Sequence, residues 1–261
     1  MNDKKLNFYL FSSSYRLAQK LYNIGKLRAV YFEQRHINQD IVDFCGLWKI
    51  PYIGVKKISD LNNSLKEIDG NSLGISYGFG LIFKDEHIKL FEHGIWNIHP
   101  GKLPANRGRH PVGWSFVNND TKFTLSIHSI NERIDQGALI YEEEIIRDLH
   151  DDTRVITAKI ESCLEKDFIE KAIKNYNDNK LIPLAEGNYN KNLIGKFDHI
   201  KSCEYTSCEL FSIFKSQLIY GSLNVDGCFF NKCNFYNELI EYSNSKIISA
   251  KDGIKLVLSF A

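Results

Sequence analysis

Asn97, His99 and Asp135 are the side chains in this sequence best suited to do chemistry. Asn97 and His99 lie two residues apart in "GIWNIH", an extended run. Strand alternation puts them on one face and Ile98 on the other. Pro100 ends the strand by removing a backbone donor. Asp135 follows in "NERIDQGALI", just before another strand. A carboxylate beside an imidazole fixes its tautomer and raises its basicity. Amide, imidazole and carboxylate together have the parts for acyl transfer onto an amine. The amide and a protonated imidazole would hold the oxyanion, or the imidazole, oriented by the carboxylate, would take the amine proton. The residue types leave both proton paths open.

The segment carrying the first two residues, "NIHPGKLPANRGRHP" at 97–111, holds three of the five prolines together with Lys102, Arg107, Arg109 and His110. Arginines set between Asn106, Gly108 and His110 suit phosphate or carboxylate contact. Trp114 follows, as core or as a platform for a base or sugar ring. A metal centre is the rival reading of the histidines. His99, His128, Asp135 and the "DLHDD" run could be assembled into one, but no His-Glu-x-x-His or paired Cys-x-x-Cys supports it. No metal is expected, and "HDD" reads as a helix-capping start before Thr153.

Positioning these groups needs a parallel sheet. Short apolar runs alternate with helical stretches: strand "LNFYLF", helix Tyr15 to Ile24, strand "LRAVYF", helix Gln39 to Trp48, strand "PYIGV". Helix Ile58 to Ile68, strand "LGISYGF", helix "KDEHIKLFEHG" and strand "GIWNIH" continue the pattern. This is α/β architecture, a mostly parallel, Rossmann-like sheet with flanking helices whose ligand site lies at strand ends. "KFTLSIHSI" and "GALIYEEEI" add two strands, and Thr153 to Tyr176 reads as one long helix. "SSS" after the first strand offers hydroxyl caps for the first helix, and "YGFG" alone is a weak half of a dinucleotide fingerprint.

The chain has 261 residues and a net charge of +1. That balance gives no broad positive field for nucleic acid or an acidic membrane. No run of eighteen apolar residues provides a spanning helix, and the opening apolar stretch is too short for a secretion signal. A cytoplasmic protein with its six cysteines as thiols is expected.

"NIHPGKLPANRGRHPVGWSF" followed by "RIDQGALI" resembles the folate-dependent formyltransferases, over roughly residues 5 to 180. The elements are Asn-x-His-Pro, Leu-Pro, Arg-Gly and, about forty residues from the start, Asp-x-Gly. "NRGRHP" with "WSF" looks most like the branch that formylates nucleotide-linked amino sugars. The resemblance implies Asn97, His99 and Asp135 as catalytic residues and 10-formyltetrahydrofolate as formyl donor. It implies a pterin site built from Tyr77, Phe79, Gly80, Leu81 and Ile82 on one side. Ile130, Arg133, Ile134 and Gly137 would form the other. Lys102, Arg107, Arg109, His110 and Trp114 would meet the acceptor. Many members carry serine where this chain has Gly101, which makes Lys102 beside it a phosphate contact to test. The acceptor implied is a nucleotide-activated amino-deoxy sugar, such as a 4-amino-4,6-dideoxysugar of surface glycan synthesis, with homodimers possible. A methionyl-tRNA formyltransferase-like enzyme and a non-catalytic binding module of the same fold are the alternatives.

A polar, linker-like stretch near 180–195 sets the expected division: a catalytic domain over 1–190 and a small β-rich, barrel-like domain over 191–261. The C-terminal part carries two competing periods. One is a five-residue repeat through Cys203, Cys208, Ile213, Leu218, Leu223, Cys228 and Cys233, with Tyr220 also inward. The other is a helix over "TSCELFSIFKSQL" followed by strands "GCFFNKCNF", "LIEYS" with "SKIISA", and "IKLVLSF". The second is preferred because Leu210, Phe211, Phe214 and Leu218 sit at helical spacing.

Overall fold

The computed structural model describes residues 5–65, 67–148, 150–217 and 221–260. Leu218 and Tyr220, used by the competing periods, lie outside the described residues, as does Lys66. β1 (Asn7–Phe11), α1 (Tyr15–Ile24), β2 (Lys26–Glu33), α2 (Gln39–Leu47) and β3 (Tyr52–Val55) open the chain. α3 (Leu61–Ser64), β4 (Ser72–Tyr77), α4 (Asp85–Ile88) and β5 (Ile95–His99) follow. Then come β6 (Arg107–Gly108), α5 (Pro111–Val117), β7 (Lys122–Ser129) and β8 (Ala138–Ile146). α6 (Thr153–Glu165), α7 (Phe168–Asn177), β9 (Ile182–Pro183) and β10 (Tyr189–Asn190) lead to α8 (Ser207–Gln217). β11 (Leu223–Val225), β12 (Cys228–Phe235), β13 (Ser245–Ser249) and β14 (Lys255–Phe260) complete it.

The large sheet runs β3-β2-β1-β4-β5-β7-β8-β9. Its first five strands are parallel, and β7 returns antiparallel to β5. Chain order reverses between β1 and β4, the switch point at which such sheets bind ligands. The central parallel strands β1, β4 and β5 are buried on both faces, which explains their near-continuous apolar character: β1 buries Phe8, Tyr9, Leu10 and Phe11. An aromatic cluster at its C-terminal end packs Phe11 against Tyr31, Phe79 and Phe83 at centroid distances of 4.8–5.7 Å.

The chain divides into two compact units. The first takes the chain up to Arg107, Thr124–Glu144 and Ile160–Asn188; the second takes Gly108–Phe123, Ile145–Lys159 and the chain from Tyr189 on. In the second, α8 and the sheet β11-β12-β14-β13 enclose a core that includes Leu210, Ile213, Phe214, Phe230, Leu256 and Leu258, with Trp114 and Val117 of α5 packed against it. Among the described residues no helix is long and apolar enough to cross a membrane.

Several elements differ from the sequence expectations. The helix expected over 58–68 is a 3-10 turn, Ile58–Asp60, and the single turn of α3, because Asn62, Asn63 and Ser64 are weak helix formers. The helix expected over 84–94 is confined to α4. The long helix over 153–176 is two: Lys166 N–H closes a short-range bond to Cys163 O at 3.1 Å, and Asp167 starts α7. "LIEYS" forms no strand; Asn237 Oδ1 instead accepts the Leu239 N–H in a turn. The helix α8 replaces any five-residue coil, leaving Cys203 and Cys208 exposed.

Candidate active site

β5 holds Asn97 beside Ser76 of β4 and His128 of β7, and His99 beside Ser126 of β7. Trp96 and Ile98, on the opposite face, are buried in the core and fix the strand's orientation. Asp135 arrives from the β7–β8 loop. That loop folds back tightly because Gly137 lies against Ser129: an added Cβ would fall 1.7 Å from the Ser129 carbonyl oxygen. Asp135 itself sits in the left-handed region at φ 52°, which aspartate tolerates better than most residues.

These elements converge four polar side chains. Asp135 Oδ2 lies 3.7 Å from His99 Nδ1, and its Oδ1 lies 3.3 Å from His128 Nε2. Asn97 Nδ2 donates to Asp135 Oδ1 over 3.4 Å and lies 3.3 Å from His128 Nε2. Both Asn97 contacts are at the long end for hydrogen bonds, so the amide can turn to a ligand at little loss. His99 Nε2 contacts the Asn106 carbonyl oxygen at 2.7 Å. A carbonyl only accepts, so the proton is on Nε2, and the Nδ1 lone pair faces Asp135. His99 is buried, which lowers its pKa from the ordinary 6.5; the Asp135 carboxylate and the Asn106 carbonyl oppose that shift. Burial thus works toward the neutral imidazole.

His128 entered the sequence reading only as a metal-ligand rival. The structure makes it the third contact of the carboxylate, with Nδ1 against Ser129 O at 2.9 Å. Its signal was the antiparallel register that sets Asn97 opposite His128, a long-range pairing. Among the described residues no group of three or more His, Cys, Asp or Glu side chains is arranged to hold a metal.

The residues expected around a pterin fall on two segments that share an apolar cluster. Phe79, Leu81 and Ile130 all pack against the core cluster containing Phe11 and Phe83. Ile82 and Ile134 are exposed, and Arg133 is exposed on the β7–β8 loop, its N–H donating to Asn131 Oδ1 at 2.9 Å. Gly80 N–H donates to Glu33 Oε1 at 2.6 Å. Tyr77, at the end of β4, has its hydroxyl pKa raised by burial and by the Glu161 carboxylate beside it. Glu161 Oε2 also accepts Ser14 Oγ–H at 2.9 Å, while Ser14 Oγ accepts the Leu17 N–H and caps α1. A carboxylate thus lies at the N-terminus of α1, where a parallel sheet of this kind would otherwise receive a phosphate.

The expected acceptor contacts separate into two groups. In the first unit Lys102 is exposed, whereas Arg107 is 7% exposed. Arg107 is not a free cation for a ligand. Its Nε and Nη2 donate to Ile134 O at 3.2 and 2.8 Å, and Nη1 donates to Gly187 O at 3.4 Å. With its amide oriented oxygen-first, Gln136 accepts from Nη1 and Nη2 as well. Arg107 therefore grips the residues on both sides of Asp135. In the second unit Arg109, His110 and Trp114 all engage residues 190–192. Arg109 N–H donates to Asn190 O, Trp114 Nε1 donates to Lys191 O at 2.9 Å, and Asn192 bonds the half-buried His110. Gly108, at φ 97°, permits this approach, since a Cβ there would lie 2.4 Å from Asn190 O. Lys196 Nζ sits 5.4 Å from the centre of the Trp114 ring, so this aromatic face already carries a cation.

The open α/β sheet, with an amide and an imidazole on one strand and a carboxylate from a neighbouring loop, has the architecture of the formyltransferases. Residues 59–172 match the formyl transferase family, and this segment carries all three side chains. A methionyl-tRNA formyltransferase of Prochlorococcus marinus (strain MIT 9312) is 30% identical over 158 residues, 60% of this chain and 45% of that protein. The chain spans at most half the length of the first such curated relatives. Among solved structures, the fold is similar to WlaRD, a sugar 3N-formyltransferase solved with dTDP and 5-N-formyl-tetrahydrofolate. That match has a TM-score of 0.77 at 18% identity over 98% of this chain and 97% of that one. An N-formyltransferase from Helicobacter canadensis, in complex with folinic acid and dTDP-3-aminofucose, gives a TM-score of 0.74 at 17% identity. It covers 97% of this chain and 98% of that one.

Proposed function

We propose that this chain transfers a formyl group from 10-formyltetrahydrofolate to the amine of a nucleotide-linked amino-deoxy sugar. The observation that carries the proposal is the convergence of Asn97, His99 and Asp135 around one point at the strand end. The neutral amine attacks the formyl carbon and the carbonyl oxygen becomes an oxyanion. Asn97 Nδ2–H turns from Asp135 to that oxygen. His99 is neutral and its Nε2–H is held by Asn106, so its Nδ1 lone pair takes the proton leaving the amine. The resulting imidazolium is stabilised by Asp135, whose Oδ2 lies 3.7 Å from Nδ1. Collapse breaks the bond from the formyl carbon to the folate nitrogen, which takes up a proton, and releases the formamide. Of the two proton paths open in the sequence, burial of His99 favours the base.

The acceptor reading draws support from the sugar formyltransferases that align along the full chain, and from a net charge of +1. The Glu161 carboxylate at the α1 N-terminus argues against a phosphate at that turn. Lys102, exposed in the first unit, is the contact proposed for the nucleotide's phosphates. The chain is incubated with 10-formyltetrahydrofolate and, separately, dTDP-, UDP- and GDP-linked 3-amino and 4-amino dideoxysugars and initiator methionyl-tRNA, and product mass is read. A formamido sugar nucleotide is expected, with the 4-amino position the first candidate. Formylated tRNA with no reaction across the sugars overturns the acceptor. Asn97→Ala, His99→Ala and Asp135→Asn should each fold and lose roughly a hundred- to a thousand-fold in turnover. Near-normal turnover in His99→Ala removes the mechanism.

A further inference from the structure

Glu33 closes β2 with a carboxylate that the proposed chemistry does not use. In a doubly wound sheet, an acid about 20 residues after the first turn is where a ribose hydroxyl would be held. This one is already engaged. It is 8% exposed, its Oε1 accepts Gly80 N–H at 2.6 Å, and its Oε2 accepts Arg35 Nε at 3.0 Å and Nη2 at 2.8 Å. Gly80 lies 47 residues away in sequence, in the turn that follows β4. The same turn is anchored on its apolar side by Phe79, 5.7 Å from Phe11 and 5.6 Å from Phe83. A Cβ at Gly80 would stand 3.1 Å from Glu33 Oε1 and 3.2 Å from Arg35 Nη2, so the pair fits closely against a glycine backbone.

We infer that Glu33, oriented by Arg35, is a positioning residue that locks the Phe79–Ile82 turn in the shape that receives the folate co-substrate. The inference rests on the proposed folate site. A short bond from a buried carboxylate to a backbone N–H is charge-assisted and stronger than a neutral one. It fixes one peptide plane of the turn, while the aromatic contacts fix the side chain next to it. Without the carboxylate the turn keeps its apolar anchor and loses its backbone orientation. A pre-formed turn binds its ligand with less ordering loss, so the effect falls on co-substrate affinity rather than on the chemical step.

Two measurements separate the inference from the reading beneath it. Hydrogen exchange of the Gly80 amide in the ligand-free protein reads the lock itself. Calorimetric titration with folinic acid reads the folate site. Glu33→Ala should speed Gly80 exchange at least tenfold and weaken folinic acid binding about tenfold or more, the usual scale for losing a hydrogen bond to a charged group. In the transfer assay it should raise KM for the folate with kcat nearly unchanged at saturation. Glu33→Gln keeps an acceptor for Gly80 and should recover most of both. Unchanged Gly80 exchange in Glu33→Ala overturns the lock, whatever binds. Faster exchange with unaltered folinic acid affinity overturns its part in binding. Wild-type protein that does not bind folinic acid refutes the folate site, while exchange still decides whether Glu33 holds the turn.

Discussion

Replacing Arg107 with methionine should lower turnover without weakening the acceptor. Asp135 is held at φ 52°, a conformation that costs an L-residue roughly 1–2 kcal/mol. The guanidinium offsets this by donating to Ile134 O from both Nε and Nη2, immediately before Asp135. Buried hydrogen bonds from a charged donor contribute about 1.5–3 kcal/mol each, more than the backbone strain they oppose. With Arg107→Met the strain is unopposed, and roughly 1–2 kcal/mol against the competent conformer leaves it populated in about one molecule in 5 to 30. Turnover should fall by that factor, about 5- to 30-fold. Arg107→Lys should fall in the same direction, because an ammonium cannot reproduce the guanidinium fork. The assay is kcat and acceptor KM for both variants, with circular dichroism to confirm folding. An acceptor KM raised a hundredfold with kcat intact would refute the reasoning and restore Arg107 as a phosphate contact.

Further outcomes follow from the same structure. The pKa of His99 is lowered below 6.5 by burial, so the folded state binds fewer protons there than the unfolded state. Stability from this group is present above pH 6.5 and is lost as pH falls from there toward the folded value. The acid limb of kcat/KM should lie below pH 6.5, and an acid limb at or above pH 7 would exclude His99 as the neutral base. His87 and His110 are lowered by burial too, so His99→Gln should flatten the acid side of the Tm–pH curve only in part. Ser14→Ala should destabilise by about 1 kcal/mol through loss of the α1 cap, read as a fall in Tm, and leave acceptor KM unchanged. A rise in acceptor KM would make the turn after β1 a phosphate site after all.

Local chemistry made one part of the site readable. Alternation alone puts Asn97 and His99 on the same face of β5, and proline and glycine mark where the strand stops. What could not be read was pairing at distance. His128 meets Asp135 only because β7 returns antiparallel with a particular register. Arg107 reads as a ligand-facing cation in its own segment, yet its partners are carbonyls 27 and 80 residues away. Glu33 carries no local mark tying it to Gly80. Helix lengths failed for a different reason: side chains such as Asn62 and Asn63 weaken a helix without erasing its apolar period.

The chain passes between its two units at Arg107/Gly108, Phe123/Thr124, Glu144/Ile145, Lys159/Ile160 and Asn188/Tyr189. No single cut therefore yields either unit whole. A chain shortened after residue 190 would keep α5 but lose α8 and β12, against whose core Trp114 and Val117 pack. It would present that apolar stripe to water and invite aggregation. The C-terminal segment thus completes a core whose other elements lie earlier in the sequence. Exchanging it for another sequence requires rewriting two segments far upstream, a coupling that confines recombination between relatives to points where all three pieces travel together.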